Sequence, residues 1–160
     1  MCVERRVFDR IGLGLVAILL LAAGTVQATP EIQTWQTPGG ARVLFVAAPD
    51  LPMVDVRVVL DAGSARDGEQ SGLASLTADM LNQGAGDWSA DALADRLEAV
   101  GAKLEATVER DMTVVVLRSL TRQPALDTAV ETLATVLAAP TFAASDLERI
   151  RANQLVTLRQ

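Results

Sequence analysis

Ser75 and Asp79 lie four residues apart in a stretch, residues 72–84, whose apolar positions Leu73, Leu76, Met80 and Leu81 recur at helical spacing. On a helix, residues three and four apart stand one above the other, so Ser75, Ala78 and Asp79 fall on a face beside the apolar stripe. A serine beside a carboxylate is half of a nucleophilic device. It lacks a base of useful pKa to take the hydroxyl proton, a role that imidazole fills in hydrolases. The chain contains no histidine. That count excludes, within this chain, a Ser-His-Asp triad, a papain-like pair and any His-ligated metal. Carboxylates alone would suit calcium or magnesium better than a hydrolytic zinc. Ser75 and Asp79 therefore read as a polar patch with a Ser–Asp hydrogen bond, against the alternative of a catalytic pair. Asp91, Asp95 and Glu98 form a second acidic row, read as a solvated helix face in preference to a metal site. Trp88, beside a glycine loop, is open to two readings, a partner contact or a local core plug.

These residues sit in a chain that divides into a leader and one domain. Residues 1–28 of the 160 read as a secretory signal. Arg5, Arg6 and Arg10 make a basic start, and residues 11–23 form an apolar run too short for a comfortable membrane span. Val26, Gln27 and Ala28 fit a cleavage site with the cut after Ala28, the alternative being an uncleaved N-terminal anchor. Cys2 precedes the apolar run and leaves with the signal. The 132 residues that remain of the 160, residues 29–160, hold no cysteine, so burial must supply their stability. They carry 11 basic and 18 acidic side chains, a net charge of −7, with no basic cluster. This argues against nucleic acid and anionic lipid as partners, and no membrane attachment is expected once the signal is gone. Half of the chain is hydrophobic and no segment is of low complexity, which describes a globular domain.

The elements that would position the site follow in order. Residues 32–37 and 41–46 are extended segments joined by a turn at Pro38, Gly39 and Gly40. Val43, Leu44, Phe45 and Val46 are apolar on both faces and read as a buried strand. Val54, Val56 and Val58 alternate with Asp55 and Arg57, a half-buried strand. Residues 61–71 read as a loop whose acids Asp61, Asp67 and Glu69 are solvated. Ser89 is a helix N-cap with Asp91 in the first turn, Leu93, Leu97 and Val100 form the stripe, and Gly101 ends it. Leu104, Ala106 and Val108 alternate along a strand, and a turn at Arg110 and Asp111 leads to residues 113–119. There Val114 to Leu117 read as a central strand covered by helices. Thr121 is expected to cap a third helix with the stripe Leu126, Val130, Leu133 and Leu137. Ser145 and Glu148 form a capping box opening a fourth helix along Leu147, Ile150, Leu155 and Leu158. That helix reaches Gln160 without a stop signal, so the domain is expected to be truncated at its C-terminal end. The fold class is α+β, a mostly antiparallel sheet with helices packed on one face.

The frame of residues 72–84 resembles the insulinase/pitrilysin zinc peptidases, the inverzincins, whose motif reads Gly-[Leu/Ile]-Ala-His-x-x-Glu-His-Met-Leu with a later glycine. Gly72, Leu73, Ala74, Met80, Leu81 and Gly84 match it, while Ser75, Ala78 and Asp79 stand where the family has histidine, glutamate and histidine. Other stretches match in the same order from Trp35 to Arg159. Gly40 to Val43 look like the family's N-terminal hairpin, Ala62, Gly63 and Ser64 like its "aGS" strand end, and Gly101 and Ala102 like its "Ga" step. Ala139, Pro140, Thr141 and Phe142 resemble its "nP-x-f".

The resemblance implies two histidine ligands and a glutamate base on zinc-bound water in active members. It also implies a third ligand, a glutamate, from a later helix in the region of residues 155–158, where this chain has no acid. The family's substrate-aligning edge strand corresponds to Glu105 and Ala106, where peptide could add through the backbone. Zinc is therefore expected only in a partner chain. Some family members are two-subunit enzymes in which one chain holds zinc and the other helps close the peptide-degrading chamber. The chain is expected to be such a non-catalytic subunit, periplasmic or secreted, meeting peptide through a zinc-bearing homologous partner. The alternatives are a cell-envelope interaction or scaffold module without a peptidase partner, and a truncated product with no function.

Overall fold

The computed structural model describes residues 30–159. The expected leader, residues 1–28 with Cys2, lies outside them. The described residues fall into two bodies, 30–49 and 50–159, each taken by itself.

The first body is the hairpin expected from the turn at Pro38 to Gly40. Strands β1 (Ile32–Gln36) and β2 (Arg42–Val46) pair antiparallel, Ile32 opposite Val46 and Gln36 opposite Arg42. Its turn closes where Gly40 N–H donates to the Thr37 carbonyl at 2.9 Å. The Trp35 and Phe45 rings meet across the strands with centroids 6.4 Å apart. β2 is not the buried strand that its composition predicts: Leu44 is 64% exposed, and Phe45 and Val46 are exposed as well. A ribbon two strands wide has no second layer of its own, so a run apolar on both faces keeps both open.

The second body carries β3 (Met53–Leu60), a 3₁₀ turn (Ser64–Arg66), α1 (Leu73–Met80), β4 (Gly84–Ala85), β5 (Trp88–Ser89) and α2 (Ala90–Glu98). After these come β6 (Lys103–Val108), β7 (Thr113–Leu120), α3 (Ala125–Ala138) and α4 (Ala144–Thr157). The main sheet is antiparallel, in the order β3-β7-β6. Val56, Val58, Leu104, Ala106, Val115 and Leu117 share its inner face and pack against Leu93, Leu97, Ala129, Leu133 and Val136 of the helices. This is the expected α+β layout with helices on one side. β7 is central, as its apolar run predicts, but helices cover only one of its faces. Val115 and Leu117 are buried, whereas Val114 and Val116 are half-buried on the side that also carries Asp55, Arg57, Glu105 and Arg118. No helix among the described residues is long and apolar enough to cross a membrane.

Helix phases differ from the leucine stripes. On α3 the buried positions are Ala125, Ala129, Thr132, Leu133 and Val136, while Val130 is exposed and Leu126 and Leu137 are half-buried. Ala125 and Ala129 let the helix backbone approach the sheet, Leu133 and Val136 fill the contact, and Leu126 and Leu137 flank it. On α1, Met80 and the following Leu81 are buried, but Leu73 is 46% exposed and Ala78 takes its place inside. Leu155 and Leu158 at the end of α4 are likewise exposed, and α4 buries no residue fully.

Capping also divides. Ser89 Oγ accepts from Ala92 N–H at 3.3 Å, as expected. Thr121 does not cap α3: its N–H donates to the Pro52 carbonyl at 3.0 Å, continuing the β3–β7 ladder, and α3 starts after Pro124. Ser145 lies inside α4, which begins one residue earlier, so the capping box is not formed. The glycine loop between α1 and α2 forms a two-residue ladder with Gly84 opposite Ser89 and Ala85 opposite Trp88. Gly84 takes φ 132°, and a Cβ there would meet the Trp88 carbonyl oxygen at 3.0 Å.

Gly63 ties the end of β3 to the β6–β7 turn. A Cβ on it would stand 2.3 Å from Met112 N and 2.5 Å from the Arg110 carbonyl oxygen. Around it Ser64 N–H donates to Glu109 O at 3.0 Å, Ala65 N–H to Arg110 O at 2.7 Å, and Thr113 Oγ1 to Ala62 O at 2.7 Å. Neither backbone can yield without breaking these bonds. Gly63→Ala is expected to cost about 2–3 kcal/mol, read from the midpoint of urea unfolding at unchanged m-value.

Across the strands, Arg118 donates from Nε and Nη2 to both Asp55 carboxylate oxygens at 2.7 Å. These bonds, with the charges of Arg118 and Arg57, hold the Asp55 carboxyl below its ordinary value of 3.8. A depressed carboxylate stabilises the fold at every pH above its unfolded value, and the contribution disappears as pH falls through the folded value. The thermal midpoint should therefore drop on acidification below about pH 4, and Asp55→Asn should make that acid limb shallower.

Candidate functional site

The site positions of the motif frame lie on α1, and α1 is held at its start by an acid from the preceding loop. Asp67 accepts from Gly72 N–H at 2.8 Å and from Ala74 N–H at 2.9 Å, placing negative charge where the helix dipole favours it. Asp67 is thus a helix cap and not a solvated loop acid. Asp61 is also engaged, in a two-point pair with Arg66 whose hydrogen bonds lower the Asp61 carboxyl and raise the guanidinium. Glu69 remains exposed as expected.

Ser75 and Asp79 stand on the flank of α1 that meets α4, where both reach the same side chain. Gln154 Nε2 donates to Asp79 Oδ2 at 2.7 Å and lies 3.4 Å from Ser75 Oγ. The expected Ser–Asp hydrogen bond is not formed, because Gln154 comes between the two as a common partner. Beside them Arg149 Nη2 donates to Gln83 Oε1 at 2.6 Å and to Asp146 Oδ1 at 2.9 Å. Ala78, by contrast, turns into the core and is buried. The structure therefore brings Ser75 and Asp79 together with Gln154 and separates Ala78 from them.

Gln154 escaped the sequence reading because an acid was sought at residues 155–158. The facing residue is one position earlier and carries an amide, and the exposed Leu155 takes no part. A search for any polar side chain one helical turn either way would have found it.

The donor set does not fit the zinc that the resemblance implies. One carboxylate, one hydroxyl and one amide converge, and the amide presents N–H to Asp79, since an ionised carboxylate only accepts. Zinc sites use thiolate, imidazole and carboxylate ligands, and an N–H group aimed into the site is not a ligand. Among the described residues no three Asp, Glu, Cys or His side chains converge for a cation elsewhere. The arrangement is a polar clasp between α1 and α4. Asp91, Asp95 and Glu98 are all exposed on α2.

Glu105 and Ala106 lie on β6, an edge strand of the sheet. Glu109 N–H donates to the Met112 carbonyl at 2.8 Å, which sets the ladder's phase. Glu105 therefore spends its backbone groups on β7, and those of Leu104, Ala106 and Val108 point to the free side. The Leu104 carbonyl there is touched by Asn82 Nδ2 at 3.5 Å.

Trp88 resolves as a core plug. It packs half-buried against the core, with the Arg96 guanidinium 4.3 Å from its ring centroid. Arg96 also donates to Thr132 Oγ1 at 3.1 Å and pairs with Glu131, joining α2 to α3.

A family model described as Insulinase (Peptidase family M16) matches residues 42–158. Among solved structures, an inactive peptidase M16 domain from Pseudomonas fluorescens superposes with a TM-score of 0.77 at 41% identity, over 79% of this chain and 31% of that one. A protease from Helicobacter pylori gives a TM-score of 0.68 at 17% identity, over 78% of this chain and 30% of that one, a likeness of fold alone. Pitrilysin gives a TM-score of 0.65 at 27% identity, over 79% of this chain and 13% of that one. The chain thus spans less than a third of the length of each. No curated protein matches it.

Removing the clasp should loosen α4 first. Gln154→Ala is expected to lower stability by about 1 kcal/mol, with faster amide exchange along α4. Gln154→Glu would set a second carboxylate against Asp79, a like-charge contact in place of a hydrogen bond. That variant should lose stability at neutral pH and regain it on acidification, the opposite slope to the Asp55 pair.

Proposed function

The chain belongs to the insulinase family of peptidases, family M16, and from that premise we propose that it is a non-catalytic member, a pseudopeptidase domain that serves a zinc-bearing homologous chain. One observation carries the reading. The three motif positions hold Ser75, Ala78 and Asp79, and a glutamine amide closes on the two polar ones with its N–H groups inward. Asp79 is the one group there of a zinc-binding type, and a lone carboxylate already bonded to an amide N–H supplies neither the family's ligand set nor a separate general base. An insulinase-family neighbour that is itself described as an inactive domain, 41% identical, supports the same conclusion.

What such a domain contributes is surface and shape. The helices of α1 and α4 form a wall without a reactive group, and the free backbone of Ala106 and Val108 on β6 is able to receive an extended peptide by strand addition. In this reading the partner supplies the metal and the base, and this chain helps to enclose the substrate. The same reading includes export of this chain to the periplasm or beyond, which the leader-like pattern of residues 1–28 supports.

The test is co-expression with a homologue that carries an intact H-x-x-E-H motif, followed by zinc analysis and peptide hydrolysis on each chain and on the pair. The expected outcome is zinc in the homologue only, no hydrolysis by this chain alone, and a rate for the pair well above that of the homologue by itself. Hydrolysis by the isolated chain, abolished by a chelator, would refute the assignment. An unchanged rate in the pair would leave a scaffold role without peptidase work.

A further inference from the structure

Asp67 is followed by Gly68, and no other Asp-Gly or Asn-Gly step occurs in the chain. Aspartyl–glycyl bonds are the most reactive of their kind, because glycine has no Cβ to hinder its nitrogen from reaching the preceding side-chain carboxyl. That nitrogen attacks Cγ of the protonated carboxyl, and the new N–Cγ bond closes a cyclic imide. The Cγ–O bond breaks, and water leaves, made of the carboxyl hydroxyl and the amide proton. Water then adds back at either imide carbonyl. Addition at Cγ restores aspartate, whereas addition at the main-chain carbon gives isoaspartate, in which the backbone runs through Cβ and Cγ. Nothing is oxidised or reduced, and the product has the mass of the starting chain.

The fold holds the Asp67 carboxyl away from this nitrogen. Its Oδ2 accepts from Gly72 N–H at 2.8 Å and its Oδ1 from Ala74 N–H at 2.9 Å, so both oxygens are directed to the start of α1. Asp67 has φ −62° and ψ −21°, and its carbonyl accepts from Gln70 N–H at 3.0 Å. Closing the imide requires Cβ to eclipse the Gly68 nitrogen about the Cα–C bond, a rotation far from this helical ψ. The carboxyl must leave both amides and the Gln70 bond must break before the ring can form. Gly68 N–H, by contrast, makes no backbone hydrogen bond among the described residues, so the restraint lies on the aspartate side.

We propose that Asp67–Gly68 is a site of spontaneous isoaspartate formation gated by its own capping bonds, closed while Asp67 holds α1 and open once the cap lets go. The product cannot resume the cap. Isoaspartate carries its carboxylate directly on Cα and adds one atom to the main chain, so the Gly72 and Ala74 amides lose an acceptor at the required place. No other group replaces it, since the N-cap residue Gly72 has no side chain. Ser75 and Asp79 ride on the same helix, so the modification also weakens the flank of α1 that meets Gln154. A lapse of order at one helix start is thereby written into the covalent chain.

The full chain incubated in heavy-oxygen water at mildly acidic pH, folded and in guanidinium, tests this, because each opening of the imide fixes one solvent oxygen. In guanidinium the label should reach Asp67 before any other residue, and the Arg66–Asp67 bond should become resistant to endoproteinase Asp-N, which does not cleave at isoaspartate. Gly68→Ala should suppress that label under the same conditions, where folding plays no part. In the folded chain labelling should be slower by roughly tenfold or more, as expected for two capping bonds to a carboxylate. Ala74→Pro removes one capping N–H in the first helical turn, which accepts proline, and should raise the folded rate severalfold with the helical circular dichroism retained. Chain isomerised in guanidinium and then refolded should unfold at a lower denaturant concentration than fresh chain. Equal rates in the folded and unfolded chain overturn the proposal, as does earlier labelling at another residue. So does a folded Ala74→Pro chain that labels no faster, or a refolded isomerised chain with an unchanged midpoint.

Discussion

Strand β7 is hydrogen-bonded along both edges, and its inner side chains Val115 and Leu117 are among the most deeply buried in the protein. β6 precedes it directly through the turn at residues 109–112, whereas β3 reaches it from before α1. The helices cover the same strand: Ala129, Leu133 and Val136 of α3 and Leu93 and Leu97 of α2 meet its inner face in one cluster. Such a layer cannot form until β7 is in place. Burial near 25 cal/mol per Å² of apolar surface is the only large stabilising term open to residues 29–160, which lack disulfides. The Gly63 contact belongs to the same constraint, since it allows the β6–β7 turn to close against the end of β3.

The clasp between α1 and α4 has a different physical character. A structural zinc contributes on the order of 10 kcal/mol to the elements it joins, whereas a partly exposed hydrogen bond contributes about 1 kcal/mol. α4 is held by polar contacts at Asp79, Ser75 and Gln83 and buries no residue fully. α1 does not share that weakness, because Ala78, Met80 and Leu81 anchor it in the core and Asp67 caps its start. A buried alanine serves the packing well at a position where a catalytic carboxylate would be a buried charge.

Around this body the polar side chains are mostly paired with elements distant in sequence. Asp55 meets Arg118 across the sheet, and Arg96 meets Trp88, Thr132 and Glu131 between helices. These pairs are exposed or half-exposed, so they orient elements more than they stabilise them. Residues that look like solvated acids in the sequence, Asp55, Asp61 and Asp67 among them, thus have definite partners. Within residues 50–159, β3 and β6 are the strands of the main sheet that pair with a strand of that body on one side only.

Periodicity and composition by themselves determined the order of the longer strands and helices, without the short β4–β5 ladder, and with it the alternating strands at Val54 to Val58 and at Leu104 to Val108, the Ser89 cap and the absence of imidazole chemistry. These depend on neighbours within a few residues, or on a count, and both are present in the sequence as written. Only the tertiary structure decided the rest. The leucine stripes on α3 and α4 did not reveal which residues pack: on α3 the sheet takes Ala125, Ala129, Thr132, Leu133 and Val136, and α4 buries no residue fully. Thr121 could not be recognised as a ladder residue, since its partner Pro52 is far away in sequence. The burial expected for Leu44 to Val46 required a covering layer that no local pattern encodes. Gln154 meets Asp79 across 75 positions, a distance at which side chains recognise each other only after the helices carrying them have packed.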